Sequence, residues 1–218
     1  MLNKDMKYKI TLFVFVIISF QSMAQHNFSV GLSFSPEVSN EKIDNLNTHA
    51  ALAQTSGLIA TYDITKRFGL TSGLWYSSKS YYNNTSSIDR NGIVHKNVKH
   101  FSTINYLEVP LLLNIKAGDS SKVGFYSSVG PVFGIPVGAT WKDKPDVGYN
   151  QSVYGDYINT VVSAYLGIGA SVKFSEKCLL IIEPNVKRTL TKLYSSESYE
   201  AFKYFYSFGL RFGLTYKL

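Results

Sequence analysis

The C-terminal stretch 203–218, KYFYSFGLRFGLTYKL, alternates in character from one residue to the next. Every even position from Tyr204 to Leu218 is apolar or aromatic, and the odd positions are small, polar or charged, with Phe205 as the exception. Because successive side chains of a β-strand point to opposite faces, this stretch predicts a strand with one apolar and one polar face. A transmembrane β-barrel needs such strands. A soluble sandwich could show the same pattern, so the other strands must decide.

The N-terminus predicts export. Three lysines precede the short apolar run 10–20, and small residues at Ser22 and Ala24 fit a cleavage site. These features predict a secretory signal peptide over residues 1–24 and a mature domain over 25–218. A membrane anchor is the less favoured alternative, because the run is nearer ten residues than the roughly 20 that a spanning helix needs.

Charge and cysteine content narrow the environment of the mature chain. In the full sequence, the 22 Lys and Arg exceed the 15 Asp and Glu, for a net charge of +7. In an exported protein we expect this excess to meet anionic lipopolysaccharide head groups, and we do not expect nucleic acid as a partner. Cys178 is the one cysteine, so no internal disulfide can form. The domain must be held by its core or by a membrane.

Period-two alternation predicts eight strands. Their predicted ranges are 28–35, 57–64, 68–79, 101–117, 122–141, 161–174, 178–194 and 203–218. Short connections at 65–67, 118–121 and 175–177 alternate with longer polar ones at 36–56, 80–100, 142–160 and 195–202. This one-sided asymmetry is typical of outer-membrane barrels, which have short periplasmic turns and long extracellular loops. The sequence therefore predicts an all-β fold, an eight-stranded antiparallel up-and-down transmembrane β-barrel integral to the outer membrane.

Aromatic residues cluster near the predicted strand ends, as expected for girdles at the membrane interfaces. Those predicted for one rim are Trp75, Tyr76, Tyr81 and Tyr82, and those for the other are Phe28, Phe68, Phe174 and Tyr216. Glycine recurs on the predicted inner face, where an eight-stranded wall leaves little volume.

The fourth strand carries a resemblance to a known family. Residues 105–114, NYLEVPLLLN, resemble the Tyr-Leu-Glu-[Ile/Val]-Pro-Leu strand of the PorT-like outer-membrane β-barrel proteins of Bacteroidota. The stretches 73–76, GLWY, and 208–214, FGLRFGL, are similar to the same family. The resemblance implies an eight-stranded barrel of the OmpA- and OmpX-like kind. It implies no single activity, although the founding member is linked to type IX secretion, so a supporting role in a secretion or assembly machine is one expectation.

Four charged residues fall mid-strand on the predicted inner face: Glu108, Glu183, Lys187 and Arg211. A charge in so narrow a lumen must be paired, so we expect an internal salt-bridge network, with Glu108 and Arg211 as one candidate pair. A path for protons or solutes is the alternative. We favour paired charges that close the lumen, because an eight-stranded interior is just filled by side chains. Pro110 cannot donate a ladder hydrogen bond, so we expect a bulge or loosened pairing near it.

The sequence offers little catalytic chemistry. It contains no HExxH, no paired-Cys spacing, no Gly-x-Ser-x-Gly and no phosphate loop, so we predict no catalytic, cofactor-binding or metal-binding residues. A lipid A-modifying enzyme would need Ser102, His100 and Glu108 together, yet Ser102 and Glu108 lie about 20 Å apart along one strand. A metal pair at His95 and His100 is equally weak.

The predicted function is therefore that of a non-enzymatic barrel. Its loops, rich in Tyr, Asn and Ser, would meet a partner protein, lipopolysaccharide or an external ligand. A narrow channel is the main alternative, and a lipid A-modifying enzyme is a weaker one. A soluble periplasmic β-domain is the structural rival.

Overall fold

The computed structural model describes residues 27–42, 47–88, 91, 93–117, 122–144, 151–152, 159–192 and 204–218. The predicted signal peptide lies outside the described residues and remains a prediction. In the described ranges, no helix is long and apolar enough to cross a membrane.

Eight long antiparallel strands close on themselves into a barrel. The eight long strands are β1 (Phe28–Lys42), β2 (Thr48–Asp63), β3 (Phe68–Ile88), β4 (Val94–Ala117), β5 (Val123–Lys144), β7 (Val161–Lys173), β8 (Cys178–Thr189) and β9 (Tyr204–Lys217). A ninth, two-residue strand, β6 (Gln151–Ser152), follows β5. Each long strand pairs with the next long strand in the chain, and β9 pairs with β1 to close the ring. β6 adds a short pairing to the outer part of β5. The predicted eight-stranded up-and-down fold is confirmed.

The two faces of the wall follow the predicted alternation. Leu32 and Phe208 point outward and are 64% and 67% exposed, whereas the adjacent Ser33 and Ser207 are buried inside. The same pattern holds on the other long strands, so an exposed apolar belt surrounds a polar interior. In water this belt would be unfavourable, and in a bilayer it faces the acyl chains.

The strands extend beyond the belt at one end, and here the predicted boundaries are wrong. β1 continues to Lys42 and β2 begins at Thr48, while β3 continues to Ile88 and β4 begins at Val94, so most of the predicted loops 36–56 and 80–100 is strand. Above the belt the outer face of a strand meets water, so apolar alternation fades while the hydrogen-bond ladder continues. β8, in contrast, ends at Thr189, before the predicted residue 194.

The other end carries tight turns of one chemical design. Thr65 Oγ1 accepts hydrogen bonds from the backbone N–H groups of Arg67 and Phe68, at 3.2 and 3.0 Å. Ser175 Oγ does the same for Lys177 and Cys178, at 3.3 and 3.0 Å. Such hydroxyl-capped turns satisfy the backbone where the chain reverses. Short turns mark this as the periplasmic end; the predicted turn 118–121 lies outside the described residues.

One bulge re-aims β5. The β4–β5 register shifts by one between Asn105, opposite Gly138, and Tyr106, opposite Pro136. The extra residue lies beside Pro136, which has no N–H to give to the ladder. No bulge forms at Pro110, which stays in register with Val132. The β3–β4 ladder has no pair at Val109 or Pro110, so the expected loosened pairing is confirmed on that side.

Candidate functional site

The lumen holds two groups of buried charges at different heights. We call Glu37, Lys79, Glu108 and Lys187 the outer charge cluster, since they lie nearer the extracellular end. We call Glu183 and Arg211 the inner charge cluster. All six side chains are buried between the strands.

The outer charge cluster is a chain of alternating charges. Lys187 Nζ lies 3.2 Å from Glu37 Oε1 and 3.3 Å from Glu108 Oε2, and it donates a 2.9 Å hydrogen bond to Thr55 Oγ1. Lys79 Nζ lies 3.0 Å from Glu108 Oε1. Two ammonium groups thus face two carboxylates, so the cluster is neutral. Neutrality and short contacts are what allow buried charges to persist.

The inner charge cluster is a single ion pair inside a polar shell. Arg211 Nη2 donates to Glu183 Oε2 at 2.7 Å, and Ser128 Oγ donates to the same oxygen at 2.9 Å. The Tyr165 hydroxyl donates to Glu183 Oε1. The guanidinium carbon of Arg211 lies 5.6 Å from the ring centroids of both Trp75 and Tyr165. Hydrogen bonds and ring faces thus hold the pair.

The structure pairs the predicted charges differently from the sequence analysis. The candidate pair Glu108 and Arg211 is wrong: Glu108 contacts the two lysines, and Arg211 contacts Glu183. Glu183 and Arg211 are direct cross-strand partners on β8 and β9, so neighbouring strands supply the pair. The predicted first strand stops at residue 35, so Glu37 is missing from the predicted lumen charges. The alternation of Val38 with its neighbours could have revealed it.

Aromatic residues in the lumen were also misplaced. Trp75, predicted for a rim, is 1% exposed and lies between the two clusters beside Tyr165. Tyr81 packs against a buried apolar group near the extracellular mouth, which includes Ile104, Tyr106 and Phe205. Odd-numbered residues of β3 such as Thr71 and Ser77 face the lumen, and Trp75 shares their face. The rim prediction instead grouped Trp75 with the adjacent Tyr76.

Glycines on the inner face leave room for these large side chains. A Cβ at Gly167 would overlap the Glu183 carboxylate, and a Cβ at Gly169 would lie 2.7 Å from the Tyr126 ring. At these two positions the inner-face glycine noted in the sequence has a packing cause, because each accepts a bulky neighbour from another strand.

The extracellular mouth contains the histidine considered for catalysis. His100 Nδ1 lies 2.5 Å from Asp143 Oδ1, directly across the β4–β5 ladder. Glu108 belongs to the outer charge cluster, so the grouping of Ser102, His100 and Glu108 does not form. The Ser102 hydroxyl is buried and makes no hydrogen bond to a described residue. The described ranges also contain no group of three or more His, Cys, Asp or Glu side chains that could hold a metal ion.

The outer face of the extended sheet carries a second notable group, which we call the basic–aromatic patch. It consists of His49, Tyr82, Lys99, Phe101, Lys142 and Lys144. His49, Tyr82, Phe101 and Lys142 follow one another in a single cross-strand row.

Stacking and cation–π contacts organise this patch. The ring centroids of His49 and Tyr82 are 5.0 Å apart, and those of Tyr82 and Phe101 are 5.2 Å apart. Lys99 Nζ lies 5.3 Å from the Tyr82 centroid, and Lys144 Nζ lies 5.5 Å from that of Phe101. Lys99 and Lys144 are direct ladder partners, and like charges in that position repel. The patch is therefore suited to an anion.

Solved structures of several outer-membrane proteins are similar to this chain. OprG of Pseudomonas aeruginosa is 12% identical, with 88% of this chain and 97% of OprG covered and a TM-score of 0.48. Neisserial surface protein A is 14% identical, with 88% and 97% covered and a TM-score of 0.47. Ail, the attachment invasion locus protein of Yersinia pestis, is 11% identical, with 87% and 99% covered and a TM-score of 0.43. No curated protein matches the chain.

The family comparison is more specific. The family model described as an outer membrane protein beta-barrel domain matches residues 19–212, which is most of the chain. Its extent agrees with the barrel of eight long strands, from β1 to β9, and with the exposed apolar belt. The chain therefore belongs to the outer membrane protein beta-barrel domain family, and it is an integral protein of the outer membrane.

Proposed function

We propose that this protein is a non-enzymatic outer-membrane barrel with a lumen closed by side chains, whose extended outer sheet binds anionic lipopolysaccharide. The observation that carries the proposal is the basic–aromatic patch on the outer face of that sheet: Lys99 and Lys144 lie over aromatic rings, and Lys142 is the ladder partner of Phe101. A role beside a partner protein, including a secretion or assembly complex, would use the same outer surface.

The position of the patch supports this assignment. β3 and β4 are 21 and 24 residues long, whereas β7, β8 and β9 have 13, 12 and 14. A spanning strand needs about 9–11 residues, so β3 and β4 continue by roughly ten residues, or about 30 Å of strand. The patch lies on this extension, just beyond the apolar belt, where the phosphates of lipopolysaccharide are found.

A binding experiment tests the patch. The triple variant Lys99→Gln, Lys142→Gln, Lys144→Gln should bind labelled lipopolysaccharide about tenfold or more weakly, because each lysine near an anionic head group contributes about 1 kcal/mol. Fluorescence anisotropy of the barrel in zwitterionic detergent measures this. The triple variant Lys66→Gln, Lys173→Gln, Lys217→Gln, with the same charge change at the periplasmic end, should bind as the wild type does. Equal affinities for all three proteins would refute the assignment.

A closed lumen predicts no steady conductance. Both charge clusters are neutral and bridge several strands, so we expect planar-bilayer recordings of the wild type in KCl to show no steady open state. The competing channel hypothesis predicts a steady conductance that changes with Arg211→Ala, because Arg211 lies mid-lumen. Detection of such a conductance would overturn the closed-lumen proposal.

Within the family, we propose that the chain belongs to the PorT-like branch. The resemblance of residues 105–114 to the fourth-strand motif of that branch supports this, and the residues of the motif lie on both faces of the wall. Tyr106 and Glu108 are buried in the lumen, whereas Val109 and Leu111 are exposed on the apolar belt. A conservative change of Glu108 would thus affect the lumen without altering the lipid-facing side.

A further inference from the structure

A cavity of about 750 Å³ opens at the periplasmic mouth of the barrel. We call it the inner vestibule, and the residues that define it here are Lys66, Lys116, Lys173, Lys217, Asp63 and Glu176. Its volume is in the range of pockets that hold a drug-sized ligand or a short peptide segment. It is separate from the basic–aromatic patch, which lies at the opposite end.

The charge of the inner vestibule is unbalanced. Four lysines against two carboxylates leave two net positive charges in its wall. Lys116 Nζ is paired with Asp63 Oδ2 at 2.7 Å. Lys66, Lys173 and Lys217 make no ion pair with any described residue. Ammonium groups that share one concave wall raise the local concentration of anions.

The three unpaired lysines surround the mouth. Lys66 lies in the turn between β2 and β3, Lys173 ends β7, and Lys217 ends β9. In the ring of strands, β8 lies between Lys173 and Lys217, β1 and β2 lie between Lys217 and Lys66, and β3, β4 and β5 lie between Lys66 and Lys173. Because these three lysines stand at separate points around the mouth, an extended chain with spaced carboxylates can contact all three at once.

The floor of the inner vestibule adds a further cationic group. A smaller cavity of about 80 Å³ continues inward and shares Tyr126 and Ser171 with the inner vestibule. Arg211 lines it and is 5% exposed. Its Nε and Nη1 groups make no hydrogen bond to a described residue, and its positive charge adds to that of the lysines above it.

The shape of the inner vestibule indicates from which side its ligand enters. The cavity opens along the barrel axis, and the strand faces toward the bilayer at this level are apolar, with Phe68 and Phe174 exposed. Lipid head groups outside the wall are therefore separated from the cavity by the strands. The geometry points to the inner vestibule as a docking site for an acidic peptide segment of a periplasmic protein.

The test uses a fluorescein-labelled hexaglutamate peptide and the full barrel in zwitterionic detergent. The wild type should bind the peptide, and raising NaCl should weaken binding because exposed charges are screened. The Lys66→Gln, Lys173→Gln, Lys217→Gln variant should bind about tenfold or more weakly, since three attractive charges are lost. The Lys99→Gln, Lys142→Gln, Lys144→Gln variant is the matched control and should bind as the wild type does.

A variant that binds the peptide more tightly distinguishes an effect of charge from an effect of misfolding. Glu176→Gln removes a carboxylate from the wall and should tighten peptide binding, which a misfolded variant cannot do. Equal peptide binding by wild type and both triple variants would overturn the proposal. Inorganic phosphate that competes as well as the peptide would also overturn it, in favour of a simple phosphate site. Neither result bears on lipopolysaccharide binding at the other end.

Discussion

Lys187→Met should destabilise the folded barrel by about 3–5 kcal/mol, the usual effect of removing one partner from a buried ion pair. Lys187 is 2% exposed and is the ammonium group shared by Glu37 and Glu108. Without it, two carboxylates remain with Lys79 as their single counter-charge, so the outer charge cluster carries one buried negative charge. The free energy of unfolding in urea, measured in lipid vesicles, reports the loss.

The matched variants isolate charge balance from packing. Adding Glu37→Gln to Lys187→Met restores neutrality, because Lys79 and Glu108 then balance, and we expect part of the lost stability to return. Lys122→Met changes an exposed lysine and should shift stability by no more than about 0.5 kcal/mol. If Lys187→Met were as mild as Lys122→Met, the lumen network would have no stabilising role.

Gly130→Ala should destabilise the barrel by about 3 kcal/mol, at the upper end of the effects of overpacking. A Cβ at Gly130 would overlap the carbonyl oxygen of Leu111 and lie 3.1 Å from Leu112 Cα. These are backbone atoms, so no side-chain rotation can relieve the overlap, and β4 and β5 must move apart. The fraction of barrel that keeps its compact electrophoretic mobility without heating, together with urea unfolding, measures the effect.

The same strand supplies the control for Gly130. Gly138 lies further along β5, and the nearest atom to a Cβ there is Asn105 Nδ2, at an ordinary contact distance of 3.9 Å. Gly138→Ala should therefore change stability by about 0.5 kcal/mol or less. Similar losses for both variants would point to a general intolerance of β5 and would contradict the close approach at Gly130.

The sequence predicted the barrel because lipid imposes a simple rule. Every spanning strand must turn an apolar face outward, so alternation was readable wherever the wall meets acyl chains, as in Leu107–Leu113. Above the belt that rule no longer applies. Residues such as Asn84 and Lys99 pair across β3 and β4 in segments with polar groups on both faces, so periodicity predicts loops there.

The lumen could be predicted as a set of residues but not as a set of contacts. Parity alone places Glu108, Glu183, Lys187 and Arg211 on the inner face. Which charges meet depends on the relative height of strands, and so on register and tilt. A single bulge beside Pro136 shifts that height, and its position is not readable from periodicity.

The closure of the ring by β1 and β9 has a consequence for the order of folding. The outer charge cluster draws Glu37 from β1, Lys79 and Glu108 from β3 and β4, and Lys187 from β8. These contacts span most of the chain, and such long-range pairings form slowly. Before the seam joins, Glu37 has no ammonium partner and faces an open groove. Completing the ring therefore neutralises the outer charge cluster, so a half-closed sheet is disfavoured and closure becomes cooperative.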